Sequence, residues 1–292
     1  MLPVTVPNPP TLPVPEGTGV LLRDMIHEHT GTWFDDDRIQ LLLEKLTPLA
    51  QERKSQSFLD YYYLLKYGGE SASEWMRVMD ALSVQETYFW REMEQIETLV
   101  KVLVPEWFAK HKTPLRIWSA ACATGEEPFT IAMALEEAGW FERAPIEIIA
   151  SDASGTALDK ARRGIFRERS FRNLPVELRD KYFTSVPQGS CISPKLLVRV
   201  RFYRANLVIP SEIASFATAP IVFCRNVFIY FSAEAISRTV RTFARHMPAG
   251  GNLFVAAAES LIKLTTDFEL SEKGRAFVYV RNASTSGAGG AR

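Results

Sequence analysis

The chain has 292 residues, with 34 basic and 34 acidic side chains, no formal net charge, 47% apolar and 23% charged residues. These values belong to a globular chain with a real core; they exclude global disorder, a collagenous or coiled-coil rod, and nucleic-acid affinity driven by excess positive charge. No stretch reaches the roughly 18 uncharged apolar residues of a membrane helix, and the scattered Cys122, Cys191 and Cys224 and four histidines form no disulfide framework or metal signature. The expectation is no metal, no membrane insertion, no secretory leader, and a reducing, cytoplasmic setting.

In chain order, residues 1–18 hold six prolines (Pro3, Pro7, Pro9, Pro10, Pro13, Pro15) and predict a disordered tail. Residues 19–85 read as a small all-helical domain. Ile39, Leu42, Leu43 and Leu46 form one apolar stripe behind Asp35–Asp37. Phe58, Tyr61, Tyr62 and Leu65 repeat that spacing, as do Trp75, Val78, Met79 and Leu82, with Gly68 and Gly69 between. A connecting helix is expected over 86–103, with Thr87 and Arg91 on one face.

From residue 104 to 282 the pattern alternates. Strands are expected at Leu115–Ala120, Ile146–Ala150, Ala219–Cys224, Leu253–Ala257 and Ala276–Val280, with helices at 126–138, 157–163 and 233–246. Alternation of this kind predicts an α/β doubly wound, Rossmann-like parallel sheet whose last strands can close it antiparallel. Residues 164–204 interrupt it and read as an inserted subdomain containing a strand near Val198–Tyr203. The tail from 283 to 292 is Gly, Ser and Ala rich and is expected to be disordered. The neutral total hides an asymmetry: residues 1–100 carry 16 acids and 8 bases, while Lys160 to Arg204 carry 12 bases and 3 acids.

Four segments hold residues suited to chemistry. Arg116–Pro128 (RIWSAACATGEEP) ends a strand in small residues and opens a helix, where ligands of open α/β sheets bind. It lacks the GxGxxG of a dinucleotide site. Glu126 and Glu127 suit a ligand with a positive group, such as an amino group or a sulfonium, or simply favour the helix dipole. Asp152, about 27 residues after that loop, is placed to hold ribose hydroxyls or to cap the next helix. In Val222–Phe231 (VFCRNVFIYF), Arg225 and Asn226 end an apolar strand, with Tyr230 just beyond. In Gln85–Arg91 (QETYFWR), Tyr88, Phe89 and Trp90 anchor a helix or line a pocket.

Together with Asn206 and Leu207, these segments resemble the chemotaxis receptor methyltransferases of the CheR family, over roughly residues 19–282 and in the same order. The resemblance implies a small helical N-terminal domain, a methyltransferase domain with an inserted β-subdomain, and S-adenosylmethionine as cofactor, leaving S-adenosylhomocysteine. It implies methylation of glutamate carboxylates in the cytoplasmic helical region of chemoreceptors; the chain is expected to be a monomer. The alternative is a cofactor-binding sensory module without methyl transfer.

The same resemblance implies that Gln85, Thr87 and Arg91 contact the cofactor. Glu126 or Glu127 takes its amino group, Asp152 its ribose, and Asn206 and Leu207 its adenine. Arg225 and Asn226 line the site, and Arg91 and Tyr230 stand at the transferred methyl. Gln85 stands where the family often has Asn, and Trp90 where it has Phe. The acidic N-terminal region and the basic stretch 160–204 point to the latter as the surface for acidic receptor helices. The short loop between Phe183 and Ile192 predicts independence from a receptor tethering peptide.

Overall fold

The computed structural model describes residues 12–283; the rest of both expected tails, 1–11 and 284–292, lies outside the described residues. The chain divides into two compact units between Ser83 and Val84. The first is all helical: α1 (Thr18–Thr30), α2 (Ile39–Glu52), α3 (Phe58–Tyr67) and α4 (Ser71–Leu82). The apolar stripes read from the sequence supply its core, with Leu42, Leu46, Tyr61, Leu65 and Val78 buried against Leu22 and Ile26 of α1. Ser57 caps α3 by accepting from the Asp60 N–H. Residues 12–17 are placed, unlike the tail expected over 1–18: Leu12 packs on this core, and the Pro13 carbonyl accepts from the Phe58 N–H at 3.0 Å.

One carboxylate organises that core. Glu74 is fully buried and accepts from Tyr61 Oη at 2.8 Å, Arg53 Nε at 2.6 Å and Arg77 Nη1 at 3.1 Å. A buried charge of this kind is stable only while its partners remain. Burial, reinforced by Glu74, holds the Tyr61 phenol far above its ordinary range.

The second unit opens with an irregular segment, then α5 (Met93–Thr98), a π-helical stretch (Leu99–Leu103) and α6 (Val104–Lys110). The helix expected over 86–103 therefore begins only at Met93. Trp90 and Glu92 have positive φ, and Phe89 is buried among Phe166, Phe171 and Phe183. Burying that ring outweighs the helical spacing of Thr87 and Arg91.

There follow β1 (Leu115–Ala120), α7 (Glu126–Glu137), α8 (Trp140–Arg143), β2 (Ile146–Asp152) and α9 (Gly155–Arg163). Next come β3 (Ile165–Phe166), a 3-10 turn (Glu168–Phe171), α10 (Val176–Tyr182), β4 (Phe183–Val186), β5 (Gly189–Ile192) and α11 (Pro194–Leu197). The unit ends with β6 (Val200–Arg204), α12 (Pro210–Ile213), β7 (Ile221–Cys224), a 3-10 turn (Phe228–Tyr230), α13 (Ala233–His246), β8 (Asn252–Phe254), β9 (Phe268–Lys273) and β10 (Ala276–Arg281). The main sheet has seven strands in the order β6-β2-β1-β7-β8-β10-β9. The first five are parallel, and β10 and β9 close it antiparallel. Its two faces are covered by separate cores, one around Ile117, Phe129 and Phe223, the other around Trp118, Val222 and Phe243, as a doubly wound sheet requires.

The insertion is the three-stranded antiparallel sheet β3-β5-β4. It is smaller than expected: the strand read near 198–203 is β6, the parallel neighbour of β2. A single sequence does not distinguish a strand that returns to the parent sheet from one that stays in the insertion. The strand β9 was not foreseen, because FELSEK carries three charges and reads as a polar loop. No helix among the described residues is long and apolar enough to cross a membrane.

Glu74→Ala is expected to lower stability by about 2–4 kcal/mol, since it leaves two guanidiniums and a phenol without their common acceptor. Chemical denaturation of the full chain measures this, and an unchanged midpoint refutes it.

Candidate functional site

Because β6, β2, β1 and β7 are parallel, the loops after Ala120, Asp152, Arg204 and Cys224 emerge at one edge of the sheet. A cleft lies there, lined by Glu86, Thr87, Tyr88, Arg91, Ala121, Cys122, Ala123, Glu127, Thr130, Arg225 and Asn226. Ligands of open α/β sheets occupy this position.

The backbone around the cleft is strained. Of six non-glycine residues with positive φ among the described residues, five belong here: Trp90, Glu92, Ala121, Ala123 and Asn226. Gly125, the N-cap of α7, has φ +96°, and a β-carbon there would stand 2.9 Å from Ala161 of α9. Only glycine permits both the turn and this close packing.

The two adjacent glutamates have different surroundings. Glu126 is buried; its Oε1 accepts from Ser170 at 2.8 Å and its Oε2 from Thr124 at 2.6 Å. Burial pushes its carboxyl up, and those hydroxyls and Arg169 oppose the shift. Glu127 faces the cleft; its Oε1 accepts from Ser119 at 2.6 Å and its Oε2 from Arg225 Nε at 2.7 Å. One helical step thus separates a carboxylate tied to the inserted subdomain from one at the ligand site.

Arg225 is a buried strut as much as a lining residue. Besides Glu127, it donates through Nη1 to the Arg91 carbonyl at 3.1 Å and to Gln95 Oε1 at 3.3 Å. It therefore ties β7 to α7, to the segment carrying Thr87 and Arg91, and to α5. That segment is also fixed by the Phe89 N–H on the Ser170 carbonyl at 2.9 Å and the Trp90 N–H on Thr130 Oγ1 at 3.2 Å.

Asp152 bridges the first two loops: Oδ2 accepts from the Ala123 N–H and Oδ1 from the Ser154 N–H, both at 2.8 Å. Asn206 follows β6 just beyond the Ala205 N–H bond to the Asp152 carbonyl, and its Oδ1 accepts from Val208. Leu207 is buried in the core on the α13 side. Gln85 turns toward α9, its Oε1 accepting from Lys160 Nζ at 2.7 Å. Tyr230 ends the 3-10 turn after Asn226 and is 37% exposed. Burial and the Glu86 charge raise its phenol, while Arg91 opposes the shift, so the O–H remains a donor at neutral pH.

Sequence reasoning missed Glu259. It is buried; Oε2 accepts from the Asn226 and Ala256 N–H groups, each at 2.9 Å, and Oε1 from Ile229 at 3.3 Å. Burial raises its carboxyl, and these N–H groups partly offset that. One side chain thus fixes the turn between Asn226 and Tyr230. Its only linear signal is an acid within the apolar run Val255–Leu261.

The donor set fits S-adenosylmethionine. A carboxylate (Glu127) suits its amino group and a guanidinium (Arg91) its carboxylate. The left-handed Ala121–Ala123 loop lets a ligand approach the backbone.

Comparison with known proteins agrees. Residues 85–277 match the SAM binding domain of the CheR methyltransferase family, and residues 20–83 match its all-alpha domain. The chain is 34% identical to chemotaxis protein methyltransferase 2 of Vibrio cholerae over 85% of this chain and 87% of that one. It is also 34% identical to chemotaxis protein methyltransferase 1 of Pseudomonas aeruginosa over 89% and 96%. A probable biofilm formation methyltransferase of Pseudomonas aeruginosa, WspC, is 34% identical over 68% of this chain, which spans 47% of that protein.

Glu259→Gln sets an amide donor against backbone donors and is expected to cut turnover about tenfold while circular dichroism stays unchanged. Wild-type kinetics in this variant would show that the Asn226–Tyr230 turn needs no such anchor.

Proposed function

The chain belongs to the CheR methyltransferase family, and we propose that it methylates glutamate side chains in the cytoplasmic helical region of chemoreceptors. The observation that carries this reading is the cleft at the carboxyl edge of the sheet, where Glu127, Arg91, Thr87 and Arg225 converge. The names of its curated relatives support the chemotaxis setting.

The residues divide the work by chemistry. Glu127 takes the amino group of the cofactor, and Thr87 and Arg91 its carboxylate end. Asp152 accepts from the ribose hydroxyls, and Asn206 and Leu207 flank the adenine. Gln85 acts through α9 rather than within the cleft. When bound, S-adenosylmethionine supplies an electrophilic methyl whose C–S bond breaks as the acceptor O–C bond forms, leaving S-adenosylhomocysteine.

An acceptor glutamate is already ionised at neutral pH, its reference pKa being about 4.3, so no general base is needed. Alignment is the main task of the protein. The Tyr230 O–H donates to the incoming carboxylate and orients it. A neutral donor suits this role, because a full salt bridge would favour the charged ground state over a transition state in which that charge is fading.

Incubation with methyl-labelled S-adenosylmethionine and purified receptor cytoplasmic fragments is expected to yield alkali-labile label on the receptor. No transfer by cofactor-loaded protein removes the receptor assignment. Asp152→Ala is expected to weaken cofactor binding at least about tenfold by calorimetry, and unchanged affinity refutes the ribose role. Tyr230→Phe is expected to lower kcat while cofactor affinity holds; equal losses would make the residue structural.

A further inference from the structure

Twelve bases lie between Lys160 and Arg204, yet many already have partners. Arg179 pairs with Glu168, Lys181 with Glu137, Lys195 with Glu136, and Arg162 with Asp159. Arg199 lies over the Phe141 ring. The stretch is therefore not one continuous basic face. One arginine in it touches two residues that line the cleft, Tyr88 and Glu86. The Arg172 guanidinium lies 3.8 Å from the Tyr88 ring centroid, and Tyr88 lines the cleft. The Arg91 guanidinium lies over the same ring at 5.2 Å.

The fold fixes this placement. Arg172 directly follows Ser170 and Phe171, which are buried; Ser170 bonds to Glu126 and to the Phe89 N–H, and Phe171 stacks on Phe89 at 5.4 Å. Tyr88 and Arg172 thus flank the two ends of one anchored contact. The Arg172 side chain nevertheless remains 47% exposed, with its charge available to a partner. Its present partner is Glu86, another cleft residue, at 3.6 Å. The Glu86 carboxylate is 74% exposed and its field reaches the Tyr230 phenol. The present partner of Arg172 is therefore a carboxylate of this chain that itself lines the cleft.

We propose that Arg172 is the docking cation for a carboxylate of the acceptor segment, and that Glu86 holds its place in the free enzyme. The proposal rests on reading the acceptor as a glutamate-bearing helix. An anionic segment nearing the cleft meets repulsion from Glu86 unless it takes over the Arg172 contact. Exchange of one exposed carboxylate for another costs little, because an exposed ion pair is weak. The guanidinium stacked on Tyr88 is held in place, so less side-chain freedom is lost on docking. Removal of the two partners should then shift acceptor affinity in opposite directions.

The test uses the full chain loaded with S-adenosylhomocysteine and a fluorescein-labelled, glutamate-containing helical peptide from a receptor cytoplasmic region, read by anisotropy. Arg172→Ala is expected to weaken peptide binding about threefold to fivefold, and Glu86→Gln to tighten it about twofold. Arg172→Lys is expected to recover part of the loss, and the differences to shrink as salt rises. Calorimetry with S-adenosylhomocysteine is expected to give the same affinity for Arg172→Ala as for the wild type. Unchanged peptide binding in both variants overturns the proposal. So does a loss of cofactor affinity in Arg172→Ala, which would make the residue a support for Tyr88. If the opposite shifts appear but no labelled methyl reaches the receptor, the docking role stands and the receptor assignment falls.

Discussion

A guanidinium buried at the end of a central strand must be met by acceptors on every side that it presents. Arg225 fulfils this condition with the Glu127 carboxylate, the Arg91 carbonyl and the Gln95 side chain. These acceptors belong to α7, to the irregular segment before α5, and to α5 itself. One charge therefore forces three separate stretches of chain to converge at the carboxyl edge of the sheet, and the cleft is the space that they enclose. Such a charge contributes little net stability, since its desolvation offsets its contacts. What it imposes is geometry, because each contact must be made for the buried charge to be tolerated.

A second anchor works from the other side with the opposite sign. Glu259, in the loop after β8, collects backbone N–H groups from its own loop and from the turn after β7. Asn226 lies between the two anchors, with positive φ, a conformation that Asn accepts better than most residues. The strained residues cluster where loops must present backbone and small side chains to a ligand. Regular helix and strand absorb that strain, as the deep cores on both faces of the sheet allow.

The inserted subdomain extends this logic outward. Its aromatic core takes in Phe89, and its 3-10 turn takes the Glu126 contact, so the segment beside the cleft is held by the insertion as well as by the parent sheet. Position on this frame, rather than total charge, distinguishes one basic residue from another. Arg179, Lys181 and Lys195 of the insertion face acids on neighbouring elements, whereas Arg172 lies over Tyr88 of the cleft wall.

The sequence by itself determined the elements whose burial follows a simple period. The apolar stripes of α2, α3 and α4 and the short apolar runs of β1, β2 and β7 appear where their spacing placed them. The motif residues Thr87, Arg91, Glu127, Arg225 and Asn226 do line one cleft. Only the tertiary structure decided the rest, because each remaining choice depended on a partner distant in sequence. Glu126 and Glu127 are alike in sequence and differ through Ser170 and Arg225. The segment from residue 84 to 92 is irregular because Phe89 finds three aromatic neighbours 77 to 94 residues away. The strand β6 joins the parent sheet because β2 offers it a free parallel edge. Glu259 matters through backbone donors that no side-chain pattern reveals. Local spacing fixes which face of an element is buried; it carries no information about which distant group will satisfy a buried charge.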